Sequence, residues 1–168
     1  MDTPMRGNAA RGIDFPELNV DLKVTSVRQP QSSCPFRDAT QKVYGLGYHL
    51  LVMVYEKTDN PETGRAHIPF QHVLFIDSAF TADYQTTKGL LGILARDGNV
   101  DDLDGFLEER NLPLDEIGRR QLAERVIVEP PAQGVLTISN ALQWRLQYGR
   151  AIQAAADNED LAVENILG

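Results

Sequence analysis

Residues 12–26 read GIDFPELNVDLKVTS and place Asp14, Asp21 and Lys23 close together in a stretch otherwise built like turn and strand. Over residues 19–28, apolar Val20, Leu22 and Val24 alternate with Asp21, Lys23 and Thr25, the period of two expected of a strand with one buried face. That alternation puts Asp21 and Lys23 on the same face. Pro16 and Glu17 form a turn, so residues 13–15 can fold back as a hairpin or a splayed corner and carry the Asp14 carboxylate towards them.

Two converging carboxylates with an ammonium two residues further along the strand suit a divalent cation. Mg²⁺ takes hard carboxylate oxygens and keeps several waters, which leaves room for a phosphate oxygen and an attacking water. Lys23 could orient or help to deprotonate that water and neutralise charge developing on the phosphate. Such a centre fits phosphodiester hydrolysis. The bland alternative for the same residues is a solvated strand face with a salt bridge.

Outward from this stretch, residues 1–12 are small and polar and read as a flexible lead-in. Residues 29–38, rich in Gln, Ser and Pro, form a loop, and the apolar run YHLLVMVYE at 48–56 is a central strand. Turn formers at 58–64 link it in hairpin fashion to a strand over 66–76, so the sheet has an antiparallel part. Tyr84, Lys88, Leu91 and Ala95 recur at helical spacing from residue 81, and Gly98 and Asn99 stop that helix. Two acidic helices follow at about 101–110 and 114–125, then a short strand at 135–138 and a last helix from the Ser139 cap to about residue 156.

The chain has 168 residues, 42% hydrophobic and 24% charged, which suits one soluble domain with its own core. It divides into the lead-in 1–12, a sheet region 13–77 holding the charged triad, and a helical region 78–168 with one late strand. No apolar run approaches the roughly 18 residues of a membrane helix. Met1 is not followed by an apolar secretory segment, and the single Cys34 cannot form an internal disulfide, so a cytoplasmic setting is expected. The net charge of −8 argues against a polyanionic partner on its face, yet residues 97–116 and the tail after Arg150 carry more than all of it. The rest of the surface is left neutral to basic.

With the surrounding segment of small residues, Gly7 to Gly12, the triad Asp14, Asp21 and Lys23 resembles the PD-(D/E)xK nuclease pattern, in the wording of its MutH-like and type II restriction endonuclease branch. The resemblance covers about 18 residues and reproduces the seven-residue offset between the acids. It implies an α/β fold, a mixed β-sheet flanked by helices in a restriction-endonuclease-like core. It further implies Mg²⁺-dependent hydrolysis of double-stranded DNA, with Mn²⁺ as a substitute. In that scheme Asp14, Asp21 and the backbone carbonyl of Leu22 bind metal and Lys23 assists the water. Asp21 stands where the branch usually has glutamate. The branch's first helix, which often supplies a further acid, would precede Gly7, where these residues leave no room for it. The chain would then be partial or a variant, and the alternative is a catalytically incomplete DNA-binding or subunit-interaction module. A homodimer or a partner subunit is compatible with either.

Further DNA contacts are expected from Arg11 and Thr25 beside the triad, and from Lys42 and Tyr44 ahead of the central strand. Asn140, Gln143, Gln147 and Arg150 share one face of the expected last helix, and amide and guanidinium groups can read base edges. A plain solvent-facing helix explains that stripe equally well. Arg119, Arg120 and Arg125 could touch phosphates or pair with acids along their own helix. His49, His67 and His72 lack zinc-ligand spacing, Cys34 lacks a neighbouring base, and KVYGLGY at 42–48 lacks the ending of a phosphate loop, so no nucleotide cofactor is expected.

Overall fold

A computed structural model describes residues 13–34, 38–139, 144–157 and 163–167 of the chain. Its centre is the apolar run anticipated above, β3 (His49–Tyr55), flanked in a four-stranded mixed sheet of order β1-β3-β6-β9. The first strand, β1 (Val20–Ser26), runs parallel to β3, with Asp21 beside Leu50, Lys23 beside Val52 and Thr25 beside Val54. β6 (Phe70–Ile76) and β9 (Val163–Asn165) continue the sheet antiparallel on the other side. Between β3 and β6 the turn formers at 58–64 top a small extra hairpin, β4 (Thr58–Asn60) with β5 (Arg65–His67).

The connection from β1 to β3 is more structured than a loop. It holds β2 (Gln31–Cys34) and a one-turn helix, α1 (Gln41–Tyr44). β2 is the edge of a second sheet of order β2-β8-β7, with β7 (Thr137–Ile138) and β8 (Trp144–Gln147) antiparallel to their neighbours.

β8 corrects the expected helix from Ser139. That segment is a strand followed by a shorter helix, α5 (Gly149–Asp157). The local pattern explains the error: Leu146 and Tyr148 are buried while Arg145 and Gln147 are exposed, a period of two that also satisfies a helical spacing of four from 142 to 146. Two neighbouring strands offer the backbone of 144–147 partners on both sides, and that pairing decides between the two periods.

The three helices that lie between β6 and β7 along the chain are capped as their sequences suggest. Asp83 accepts from Thr86 N ahead of α2 (Tyr84–Leu94), Asn99 and Asp102 form a capping box on α3 (Val100–Glu109), and Asp115 accepts from Gly118 N ahead of α4 (Glu116–Val128). With α1 these helices bury their own cluster, including Val43, Leu90, Leu103, Leu107 and Val126. A second cluster joins one face of the large sheet, through Leu50, Val52, Val54, Leu74 and Ile76, to the inner face of the small sheet, through Cys34, Leu136, Ile138 and Leu146, and to Ala151 of α5. No helix among the described residues is long and apolar enough to cross a membrane.

β1 is the exception to the usual inside-outside rule. Its polar side, Asp21 and Thr25, is buried on the core face, while Val24 on the apolar side is 54% exposed. Being an edge strand, β1 meets the second sheet across that face, and the polar groups there find partners in β2 and its approach. Thr25 Oγ1 donates to the carbonyls of Gln29 and Gln31 at 3.2 and 3.1 Å and accepts from Gln31 N at 3.1 Å.

Candidate active site

The two expected arms of the hairpin do pair. Phe15 and Val20 exchange both backbone hydrogen bonds, Phe15 N to Val20 O at 2.9 Å and Val20 N to Phe15 O at 3.1 Å, around the turn at 16–19. Asn19 takes a positive φ of 54° to close it, a conformation that asparagine tolerates better than most residues. One residue before the pair, Asp14 Oδ2 accepts from Leu22 N at 2.9 Å. The hairpin thus holds an exposed carboxylate against the free edge of β1.

That hydrogen bond also locates the Leu22 carbonyl. The N–H and C=O of one strand residue leave the backbone on the same side, so the Leu22 oxygen faces the open edge beside Asp14 and away from β3.

Asp21 lies one residue earlier, with only 2% of its surface exposed. Burial pushes its carboxyl above the usual carboxylate range; the Lys23 ammonium draws it back down, and the neighbouring Asp14 carboxylate adds to the rise. Lys23 Nζ stands 2.8 Å from Asp21 Oδ2, with its side chain 20% exposed at the mouth of the site. Beyond this ion pair, that buried oxygen accepts no hydrogen bond among the described residues. Behind it sits the fully buried Tyr148, whose hydroxyl is 2.5 Å from Ser32 Oγ and whose pKa is raised by burial, opposed by the Ser32 hydrogen bond and reinforced by the charge of Asp21. Ser32 and Tyr148 were invisible as site residues in the sequence. They lie 116 positions apart and meet only because β2 and β8 pair.

A buried carboxylate oxygen whose one partner among the described residues is the Lys23 ammonium, an exposed carboxylate at the same edge and a main-chain carbonyl turned outward form a set of hard oxygen donors. Such a set fits Mg²⁺ or Mn²⁺, which take one or two carboxylates and fill the remaining positions with water and phosphate oxygens. No group of three or more His, Cys, Asp or Glu able to hold a metal occurs among the described residues, which leaves this two-carboxylate arrangement as the candidate.

The expected DNA contacts divide. Lys42 is buried at 2% exposure on α1, where burial pushes its ammonium pKa down, the charge of Asp83 opposes that and Arg110 adds to it, so it cannot reach a phosphate. Thr25 is buried as well, with its hydroxyl committed to Gln29 and Gln31. Tyr44 packs against the helical cluster, donates to the Glu129 carbonyl at 2.9 Å and stacks under Arg125 at 3.9 Å, far from the role expected of it. Gln147 and Arg150 are exposed, on β8 and at the start of α5, and do not share a helix face. Arg11, Asn140 and Gln143 lie outside the described residues. Arg119 pairs with Asp104 at 2.9 Å and Arg120 with Asp101, which ties α4 to α3, and Arg125 pairs with Glu129 at 3.0 Å at the end of its own helix, so these cations are engaged in holding the helices. Cys34 is a buried thiol 3.1 Å from the Tyr48 hydroxyl.

The family described as type II restriction enzyme NspV matches residues 3–163. The type II restriction enzyme NspV of Nostoc sp. (strain ATCC 29411 / PCC 7524) is 54% identical over 157 residues, covering 94% of this chain and 71% of that protein. No solved structure matches.

Proposed function

This chain belongs to the NspV family of type II restriction enzymes, and on that premise we propose that it is an endonuclease hydrolysing phosphodiester bonds of double-stranded DNA with Mg²⁺, at a centre made by Asp14, Asp21 and Lys23. The observation that carries the proposal is the convergence at one strand edge: Asp14 on Leu22 N at 2.9 Å, and buried Asp21 with Lys23 at 2.8 Å.

Asp14, Asp21 and the Leu22 carbonyl would hold the metal. A bound divalent cation supplies Lewis-acid polarisation of a phosphate oxygen and acidifies water. The protein's own groups do the rest. Lys23 is anchored at its carboxylate partner and reaches solvent, which lets its ammonium orient an attacking water and offset charge gathering on the phosphate. Asp21 is fixed by its place in the strand, by burial and by the Lys23 ion pair, so its carboxylate is positioned without rearrangement.

The test is incubation of the purified chain with unmodified plasmid and phage DNAs at low salt, with Mg²⁺ or with a chelator. Discrete fragments in Mg²⁺ alone are expected. Intact DNA across the whole panel would sink the proposal, and DNA retention without cleavage would favour a binding module with the same fold.

A further inference from the structure

The small sheet has one face in the core and one face outside. Inward point Ser32, Cys34, Ile138, Leu146 and Tyr148. Outward, in register across three strands, stand Gln31, Gln147 and Thr137 in one row, with Ser33 beside Arg145 in the next. Every side chain in that array is an amide, a hydroxyl or a guanidinium, and none is a carboxylate.

In a chain of net charge −8 this composition is unexpected. The acids are concentrated on α3 and α4, where they consume Arg119, Arg120 and Arg125. Arg145, Arg150 and Lys88 make no ion pair among the described residues. Two of them gather instead at one aromatic ring: Arg150 lies 3.5 Å and Lys88 5.5 Å from the centre of Tyr84. Gly149 begins α5, which has no acid in its first turn, whereas the N-terminus of α2 is capped by Asp83. The partial positive end of α5 therefore adds to the two cations.

This surface is also close to the proposed centre. Thr25 of β1 bonds both the N–H and the carbonyl of Gln31, so the outer array begins one strand away from the strand that carries Asp21 and Lys23. Tyr148, inward beside Asp21, directly follows outward Gln147, and Arg150 comes two residues later.

We infer that the outer face of the β2-β8-β7 sheet is the DNA-reading surface, with Gln31, Gln147 and Arg145 on base edges and the Arg150–Lys88 pair beside Tyr84 on backbone phosphates. The two-stranded β2-β8 ribbon is of the size that a major groove about 12 Å wide admits. There, amides bond adenine and guanidinium groups bond guanine in bidentate fashion. Phosphate contacts from Arg150 and Lys88 set orientation without sequence information. This inference rests on the endonuclease proposal, since it takes DNA as the substrate of the same chain.

The test measures binding by fluorescence anisotropy on the full chain carrying Asp21→Asn, in Ca²⁺, against the best-cleaved duplex and a scrambled one over a range of salt. On that background Arg150→Ala and Lys88→Ala are each expected to weaken both duplexes alike and to lower the slope of log affinity against log salt by about 0.9. Gln147→Ala and Arg145→Lys are expected to reduce the preference for the best duplex at least tenfold, Arg145→Lys doing so with the salt slope kept. Circular dichroism melts exclude misfolding, and both positions are exposed. Parental affinity, slope and preference in all four folded variants would overturn the inference. If the unsubstituted chain cleaves DNA while the four variants behave like the parent, this surface is wrong and the endonuclease proposal stands. If no DNA is cleaved, the duplex that the parent binds most tightly takes the place of the best-cleaved one, and loss of binding in the variants then keeps the surface while the endonuclease proposal falls.

Discussion

Replacing Asp21 by asparagine should make the metal-free protein more stable while destroying its activity. The carboxylate is 2% exposed, its Oδ2 has only the Lys23 ion pair among the described residues, and Asp14 crowds it with like charge. Asparagine has nearly the same volume, removes the buried charge and can donate from its amide to Asp14. Lys23, 20% exposed, can turn its ammonium to water once its partner is neutral. Relief of an imperfectly satisfied buried group is expected to contribute about 1 kcal/mol, which for a chain of this size raises the melting temperature by about 2–4 °C.

The pH dependence follows from the raised carboxyl of Asp21. In the unfolded chain it titrates near the ordinary value of about 4, and in the fold above that. Below the unfolded value both states are protonated and the residue costs nothing. The destabilisation grows as pH rises through the folded value. The gain in melting temperature of the asparagine variant is therefore largest at neutral pH and vanishes at about pH 3. Metal should reverse the order: at ten times its dissociation constant a cation bound only by the fold stabilises the parent by about 1.4 kcal/mol, and the variant gains little. The assay is calorimetry or dye-monitored melting of both proteins with chelator and with Mg²⁺. A variant less stable than the parent in chelator at neutral pH would show that Asp21 is a structural ion-pair partner, and the metal-arm argument would fail.

Asp14→Ala should abolish Mg²⁺-dependent cleavage, and losing its bond to Leu22 N should lower stability in urea by about 1 kcal/mol, since the group is exposed and water can replace it. Gly134→Ala should cost about 1–3 kcal/mol in the same urea titration, because a Cβ there would stand 2.2 Å from the Ala82 carbonyl oxygen, which is backbone and cannot swing away. Asp83→Ala should cost about 3–5 kcal/mol, since that buried carboxylate accepts from Thr86 N, Thr86 Oγ1 and Ile138 N at 2.7–2.9 Å and offsets the charges of Lys42 and Arg110. A much smaller loss on chemical denaturation would mean that Lys42 is neutral in the fold.

The triad was legible because it is local. Asp14, Asp21 and Lys23 lie within ten residues, and a proline turn with a period of two is enough to bring them together. The orientation of β1 was not. Alternation says that one face is buried but cannot say which, and the polar face turned inward where the approach to β2 supplies partners, Gln29 and Gln31, for the Thr25 hydroxyl. Lys42 and Tyr44 were placed near the site by their position before the central strand; the helical cluster, assembled from residues far along the chain, claims them instead. The strand β8 was hidden because apolar residues four apart satisfy both periods, and only the neighbouring strands decide. Correcting it moved Gln147 and Arg150 from a shared helix face to the outer sheet and its rim.

The most direct measurement is single-turnover cleavage of an unmodified duplex in Mg²⁺ by the parent chain and by Lys23→Ala, with matched circular dichroism. Cleavage by the parent and a loss of at least a hundredfold in the folded variant are predicted, the size expected when a group acting at the reacting phosphate is removed. Cleavage at the parental rate by the folded Lys23→Ala protein would contradict the assignment of this strand edge as the catalytic centre.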